Sequence, residues 1–228
     1  MPFYDREIEL VVLTHPGDER LGGLVGLPER YNIGQVLLRS APQAAGWSGQ
    51  APFPYPSASY ESWLRALQAQ EVPITPAEAG TRVDLGYGIT LDVLHPGPEP
   101  MLEDVGELDL KANSLVLRLS YGETSFLLTG DVPTDVQQQL VESGIDLEST
   151  VVKLPDGGRQ ASFSEAFLTA TEAYHAVVFA QREDRFRDLS AAVEEAWLAV
   201  VGDAGLYRTD LAGTVSFASD GRMLAQAN

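Results

Sequence analysis

The chain of 228 residues carries three imidazoles, His15, His95 and His175, and no cysteine. Metal or acid–base chemistry would have to be built from those rings and from carboxylates. His15 is the best placed of the three. It follows Thr14 at the end of the apolar run Leu10-Val11-Val12-Leu13, and a polar loop leads on to Gly22-Gly23. Such a short, β-branched run reads as a central strand. The loop leaving its carboxyl end lies where open α/β folds place ligands. Asp131 follows Thr129-Gly130 at the end of a second apolar run, from which a side chain can point into a site. By itself a strand-terminal Gly-Asp is most often a turn. His95, in Leu94-His95-Pro96, and His175, ahead of another apolar run, read as structural histidines.

Other chemistries are excluded more directly. There is no G-x-S-x-G, no phosphate-binding P-loop and no G-x-G-x-x-G ahead of a helix. Thiolate metal sites and disulfides are ruled out with the cysteines. Fifteen Lys and Arg against 33 Asp and Glu leave a formal charge of −18. That balance keeps a chain soluble and repels polyanions, because nucleic-acid binding normally rests on Lys and Arg contacts to phosphate. No apolar run reaches the length of a membrane span and no signal peptide is visible.

The elements that would hold these residues follow one another along the chain. After the first strand, Leu27-Pro28-Glu29-Arg30-Tyr31 reads as a short helix and Gln35 to Leu38 as a strand. Residues 41–58 are rich in Pro, Gly, Ala and Ser and read as an extended loop; its Trp47, Phe53 and Tyr55 suit packing better than ligand stacking. Ser59 is a candidate N-cap for a helix to about Gln70, with Trp63, Leu64 and Leu67 on one face. Strands are expected at residues 72–75, 81–85 and 89–94, and an acidic loop at 96–112. The clearest hairpin is Ser114 to Tyr121, a turn at Gly122-Glu123, and Thr124 to Thr129. A helix follows from Pro133 to about Ser143, then a strand at 150–154, a helix at 164–171 and a strand at 176–180. A charged loop, 181–189, leads to a helix at 190–201 that should turn Val193, Trp197 and Val200 inward. A strand at 206–209, a turn at 210–213 and a strand at 214–218 complete the reading. Pattern alone supports α/β or α+β.

In order and spacing these stretches resemble the C-terminal metallo-β-lactamase-like domain of DNA-internalisation competence proteins (ComEC type). The opening signature of that fold is Ser/Thr-His-x-His-x-Asp-His-x-Gly-Gly. Here His15 stands at the first His and Gly22-Gly23 at the closing glycines, whereas Gly17 replaces the second His, Glu19 the Asp and Arg20 the last His. The resemblance extends through Asp5 to Glu9, Gly88 to Pro96, Asn113 to Leu119, Phe126 to Asp131, Val152 to Pro155 and Tyr207 to Arg222. It implies an αββα sandwich in one domain, 1–228, expected to lack its first N-terminal strands and so either to be marginally stable alone or to take those strands from a partner. It implies a divalent metal, zinc or manganese, with Asp131 as the carboxylate at the metal centre. After Val152-Lys153-Leu154-Pro155 the family reads His-His-Gly-Ser; this chain reads Asp156-Gly157-Gly158-Arg159. Asp188-Leu189 falls where a later ligand His precedes Pro.

The set left at those positions is His15, Glu19, Asp131, Asp156 and Asp188. A di-metal hydrolase needs several neutral imidazoles and a bridging carboxylate, so the expectation is a degenerate site without metal or activity. Arg20 is expected to supply, among Asp131, Asp156 and Asp188, the positive charge a metal would bring. If metal were held after all, this oxygen-rich set would suit Mg²⁺, Ca²⁺ or Mn²⁺. By the same resemblance, the partners would be single-stranded DNA and the membrane-embedded channel portion of a longer protein, at the extracytoplasmic face of the bacterial cytoplasmic membrane. This segment itself would make no lipid contact.

Overall fold

The structure, a computed structural model, describes residues 5–39, 57–103, 109–180 and 189–227, except for the side chains of Glu19 and Ala227. The sequence expectations for 41–56 and for Asp188 lie outside the described residues. The chain divides into two compact units, residues 1–78 with 96–115, and residues 79–95 with 116–228.

The first unit holds β1 (Glu7–Ile8), β2 (Val11–Leu13), α1 (Asp18–Leu21), β3 (Asn32–Ile33), β4 (Val36–Leu38), α2 (Ala58–Ala69) and β5 (Ile74–Pro76). Strands β2, β4 and β5 form a parallel sheet in that order, and β1 pairs in parallel with β3. Parallel strands buried on both faces read as continuous apolar runs, which is why Val36-Leu37-Leu38 shows no alternation. Tyr60, Trp63 and Leu67 lie on one face of α2 at helical spacing and pack with Val11, Leu13, Val36 and Leu38. The helix begins at Ala58, with Ser57 at the cap position. The Ser57 hydroxyl donates to the Asp18 carboxylate, tying α2 to the signature loop rather than capping its own helix. Residues 27–31, read as a helix, form a single turn in which the N–H groups of Arg30 and Tyr31 both reach Leu27 O. The turn stops because Asn32 is already paired with Glu7.

The second unit is built on a seven-stranded sheet in the order β12-β11-β10-β9-β8-β7-β6. Its strands are β6 (Arg82–Gly86), β7 (Ile89–His95), β8 (Val116–Tyr121), β9 (Thr124–Leu128), β10 (Val151–Lys153), β11 (His175–Val178) and β12 (Leu206–Arg208). From β6 to β9 the sheet is an antiparallel meander, and from β9 to β12 it is parallel. Parallel neighbours need crossovers, which are helices α3 (Thr134–Glu142), α4 (Glu165–Ala170) and α5 (Ala191–Val201). A short α6 (Thr209–Ala212) replaces the turn expected at 210–213, and the chain closes in the hairpin of β13 (Ser216–Ser219) and β14 (Leu224–Ala227).

Helix α5 buries Val193 and Trp197 but leaves Val200 46% exposed, against expectation. The 11-residue helix packs on strands of four and three residues. At about 1.5 Å per helical residue and about 3.3 Å per strand residue, its last turn overruns them.

The closing hairpin docks on the sheet through aromatic contacts. The ring of Phe217 lies 5.3 Å from Tyr207, 5.8 Å from His175 and 6.1 Å from Phe126. Glu123 N–H donates to Gly221 O at 2.6 Å, and the hydroxyls of Thr124 and Ser219 lie 2.7 Å apart. His175 is thus structural, and burial pushes its pKa below the ordinary 6.5. The neutral ring is the form the fold favours, so its contribution is complete above the unfolded-state value of about 6.5 and is lost as pH falls from there through the folded value. We expect the melting temperature to drop between pH 7 and pH 5, with His175→Phe removing part of that slope. An unchanged slope in the variant would assign the acid sensitivity elsewhere.

Candidate functional site

In the first unit, the signature loop starts where β2 ends. Gly17 O accepts from Arg20 N at 2.9 Å and Leu21 N at 3.1 Å, closing the one-turn helix that places Arg20 and Gly22. His15 is 3% exposed. Its Nδ1 lies 3.4 Å from Thr14 Oγ1 and 3.3 Å from Ser114 Oγ, so the ring faces hydroxyls on that side. Leu115 N–H donates to Thr14 O at 2.9 Å, which brings Ser114 under the ring. A small cavity of about 10 Å³, near the room of one water, is lined by His15, Leu13, Arg39, Tyr60 and Asn113. Arg39, 5% exposed, donates to Gly97 O at 3.0 Å and Glu99 O at 3.2 Å. This buried guanidinium beside His15 was missed from sequence; the only signal was a lone Arg ending the apolar run 36–38. Among the described residues, a side chain at Gly23 would meet nothing within 4 Å, and at Gly22 only Asp18 O at 3.7 Å. The glycine pair is therefore not demanded by local crowding.

In the second unit, Asp131 and Asp156 come together at the carboxyl ends of β9 and β10. Gly130 takes φ +55°, a left-handed turn that suits glycine and directs Asp131 off the strand. Asp131 is 3% exposed. Thr129 Oγ1 donates to Lys153 O at 2.6 Å, clamping the two strand ends. Asp156, Gly157 and Gly158 are all left-handed, at φ +45°, +68° and +79°. Asp is one of the few L residues that tolerate this region, so the sequence change and the turn agree. Asp156 N–H donates to Gly130 O at 3.3 Å, and its Oδ2 accepts from Ser162 Oγ at 3.2 Å.

Each of these carboxylates has a cation from its own unit. Lys153 Nζ lies 3.8 Å from Asp131 Oδ1, and Arg159 Nη1 lies 3.7 Å from Asp156 Oδ2. A divalent ion coordinated by Asp156 would stand against the Arg159 guanidinium. At the Asp156 turn, the carboxylate with Arg159 beside it does not suit a divalent metal. Among the described residues no group of three or more His, Asp or Glu side chains gathers to hold a metal. Lys153 was not read from sequence as a charge partner, because pairing across 22 positions between strand ends (131 to 153) leaves no local pattern; Arg159, three residues from Asp156, was within local reach and was missed.

The Tyr207-Arg208-Thr209-Asp210 stretch lies at the carboxyl end of the neighbouring β11. Arg208 forks onto Asp210 at 3.2 and 2.8 Å and reaches Glu194 of α5 at 2.9 Å. Those hydrogen bonds hold the Asp210 carboxyl below its ordinary range. Thr209 Oγ1 lies 3.1 Å from both the N and the O of Ala180, just past β11.

The fold is that of a metallo-β-lactamase-like α/β protein. Among solved structures, a mutant of the CmlA β-hydroxylase matches over 89% of this chain and 43% of its own, with a TM-score of 0.57 at 14% identity. In sequence the chain is 30% identical over 131 residues to competence protein ComA of Neisseria gonorrhoeae, covering 57% of this chain and 18% of that protein. It is 21% identical over 213 residues to ComE operon protein 3 of Bacillus subtilis (strain 168), covering 93% of this chain and 25% of that protein. No family model matches. In sequence the chain is similar to these competence proteins, and it spans a quarter or less of the length of the curated relatives it matches. Among the described residues no helix is long and apolar enough to cross a membrane.

Proposed function

We propose that residues 1–228 form one metallo-β-lactamase-like domain of a longer DNA-uptake protein, and that this domain has lost metal-dependent hydrolysis and serves as a scaffold. The observation that carries this reading is the pairing of Asp156 with Arg159, at the turn where the resemblance calls for imidazoles. Arg20 adds a fixed positive charge at the last His position of the signature. Glu19 and Asp188 complete the inherited positions. The parent protein would work at the extracytoplasmic face of the cytoplasmic membrane, beside a membrane-embedded channel that handles single-stranded DNA. A charge of −18 disfavours strong DNA binding by the domain itself.

Calorimetric titration with Mn²⁺ and Zn²⁺, on chain purified without chelator, tests the reading. We expect no stoichiometric binding, no change of melting temperature with EDTA and no cleavage of single-stranded DNA. Stoichiometric Mn²⁺ binding abolished by Asp131→Ala would instead establish a rebuilt carboxylate-rich hydrolase. The net charge favours a further alternative, an acidic binding module unconnected with DNA. Failure to bind single-stranded DNA even at low salt would support that module over a scaffold in contact with the strand.

A further inference from the structure

The seven-stranded sheet of the second unit ends in β6, and among the described residues nothing pairs with its outer side. Val93 N–H donates to Thr81 O at 2.8 Å, so Thr81 turns its backbone groups towards β7. Backbone direction alternates along a strand, and the register of Val83 with Leu91 keeps Val83 facing β7 as well. Arg82 and Asp84 therefore turn their N–H and C=O groups outward, to the open edge. Opposite them on β7 stand Asp92 and Thr90, in the pairs without hydrogen bonds, where side chains come closest. Arg82 accordingly forks onto Asp92 through Nε at 2.5 Å and Nη2 at 3.0 Å, leaving Nη1 uncommitted among the described residues. Asp84 is exposed, and its Oδ1 accepts from Gly86 N–H at 2.8 Å. Leu85 and the tip residue Tyr87, 97% exposed, add apolar surface beside the edge.

We propose that β6 is an association edge on which two copies of this chain pair, antiparallel, about a two-fold axis at Val83. An open edge with unpaired backbone groups is a template for another strand. Under a two-fold, residue i of one copy meets residue j of the other and j meets i. With the axis at Val83, Arg82 of each copy lies opposite Asp84 of the other. Both residues present their backbone groups outward, so each such pair exchanges its N–H···O bonds, and the side chains are of opposite charge. Moving the axis one residue either way sets Arg82 against Arg82 or Asp84 against Asp84, and like charges directly opposite are destabilising. Charge thus selects both the occupant and the register. The proposal goes beyond the scaffold reading and is independent of it. β6 lies four strands from β10 in the sheet, and the outcome of a metal titration decides nothing about this edge.

Sedimentation velocity over a concentration series reaching the millimolar range tests the edge. The formal charge of −18 opposes self-association at low salt, so the series is run at physiological ionic strength, where the Debye length is about 8 Å. We expect the weight-average mass of the unaltered chain to rise towards twice that of the monomer. Asp84→Arg should weaken association roughly tenfold or more, because both facing positions are then basic. Arg82→Asp should do the same, with both positions acidic. Mixing these two variants should restore the dimer, since every facing pair then joins an acid to a base. Circular dichroism checks that each variant folds. If Arg82→Asp beside Asp92 does not fold, Asp92→Arg is added to it, which restores the pair within the copy, and the mixture is read with that chain. A chain monomeric throughout the series, a dimer that survives Asp84→Arg, or variants that fail to pair when mixed would overturn the proposal.

Discussion

Trp63→Ala is expected to destabilise the chain by about 3–5 kcal/mol, the range for removing a large aromatic from a packed core. Trp63 is fully buried, and it lies in α2 against the parallel sheet of the first unit. Its ring is 6.3 Å from Tyr60 at a tilt of 41°, so truncation removes an aromatic contact together with the largest side chain of that cluster. α2 also carries the tie from Ser57 to Asp18 in the signature loop, so loosening this face loosens the surroundings of His15. Denaturant unfolding followed by circular dichroism reads the loss without relying on indole fluorescence. Trp63→Phe, which keeps most of the apolar contact, should lose clearly less. A Trp63→Ala variant within 1 kcal/mol of the unaltered chain, on the order of a surface substitution, would show that this face does not hold the unit together.

Gly122→Val is expected to release the closing hairpin. Gly122 sits at φ +57° in the β8–β9 turn, a left-handed conformation costing an L residue about 1–2 kcal/mol and a β-branched one more. A Cβ built there would also collide with the Gly221 carbonyl, and that oxygen accepts from Glu123 N–H at 2.6 Å. Relief requires Gly221 to withdraw, which breaks that bond and the Thr124–Ser219 contact and pulls Phe217 away from Tyr207. Hydrogen exchange should show β13 and β14 losing protection while β7 and β8 keep theirs. Uniform loss across the sheet would mean that hairpin and sheet unfold as one.

The contrast between the two ion-paired carboxylates and Arg208 bears on what the site has become. The Arg208 fork on Asp210 and Glu194 is a structural tie inside a stretch shared with the competence-protein resemblance. The Asp156–Arg159 pair lies where the chain departs from that resemblance, and its two members differ from the family pattern together. A carboxylate and a guanidinium introduced three residues apart compensate one another locally. A rebuilt metal centre would instead have concentrated uncompensated carboxylates.

Taken alone, the sequence determined most of the elements. Alternation along Val116–Tyr121 and Thr124–Leu128 around Gly122-Glu123 specified a hairpin, because side-chain period and turn chemistry are local properties. The apolar runs at 11–13, 36–38, 151–152 and 176–178 specified buried strands by continuous hydrophobicity, without alternation. The resemblance pointed to Asp131 and Asp156, and it supplied the fold class that pattern could not. Tertiary structure decided what touches those carboxylates. Lys153 meets Asp131 only because β9 and β10 lie side by side in parallel register, with Lys153 opposite Leu128. Arg39 comes beside His15 only because β4 pairs with β2, and Phe217 reaches His175 only because the closing hairpin folds back. The two-residue strands β1 and β3 stayed illegible, being too short to show a period before pairing defines them. Long-range pairing brings charges together without leaving any spacing in the chain, so only the folded sheet named Lys153 as the cation of Asp131, whereas Arg159 stands three residues from Asp156.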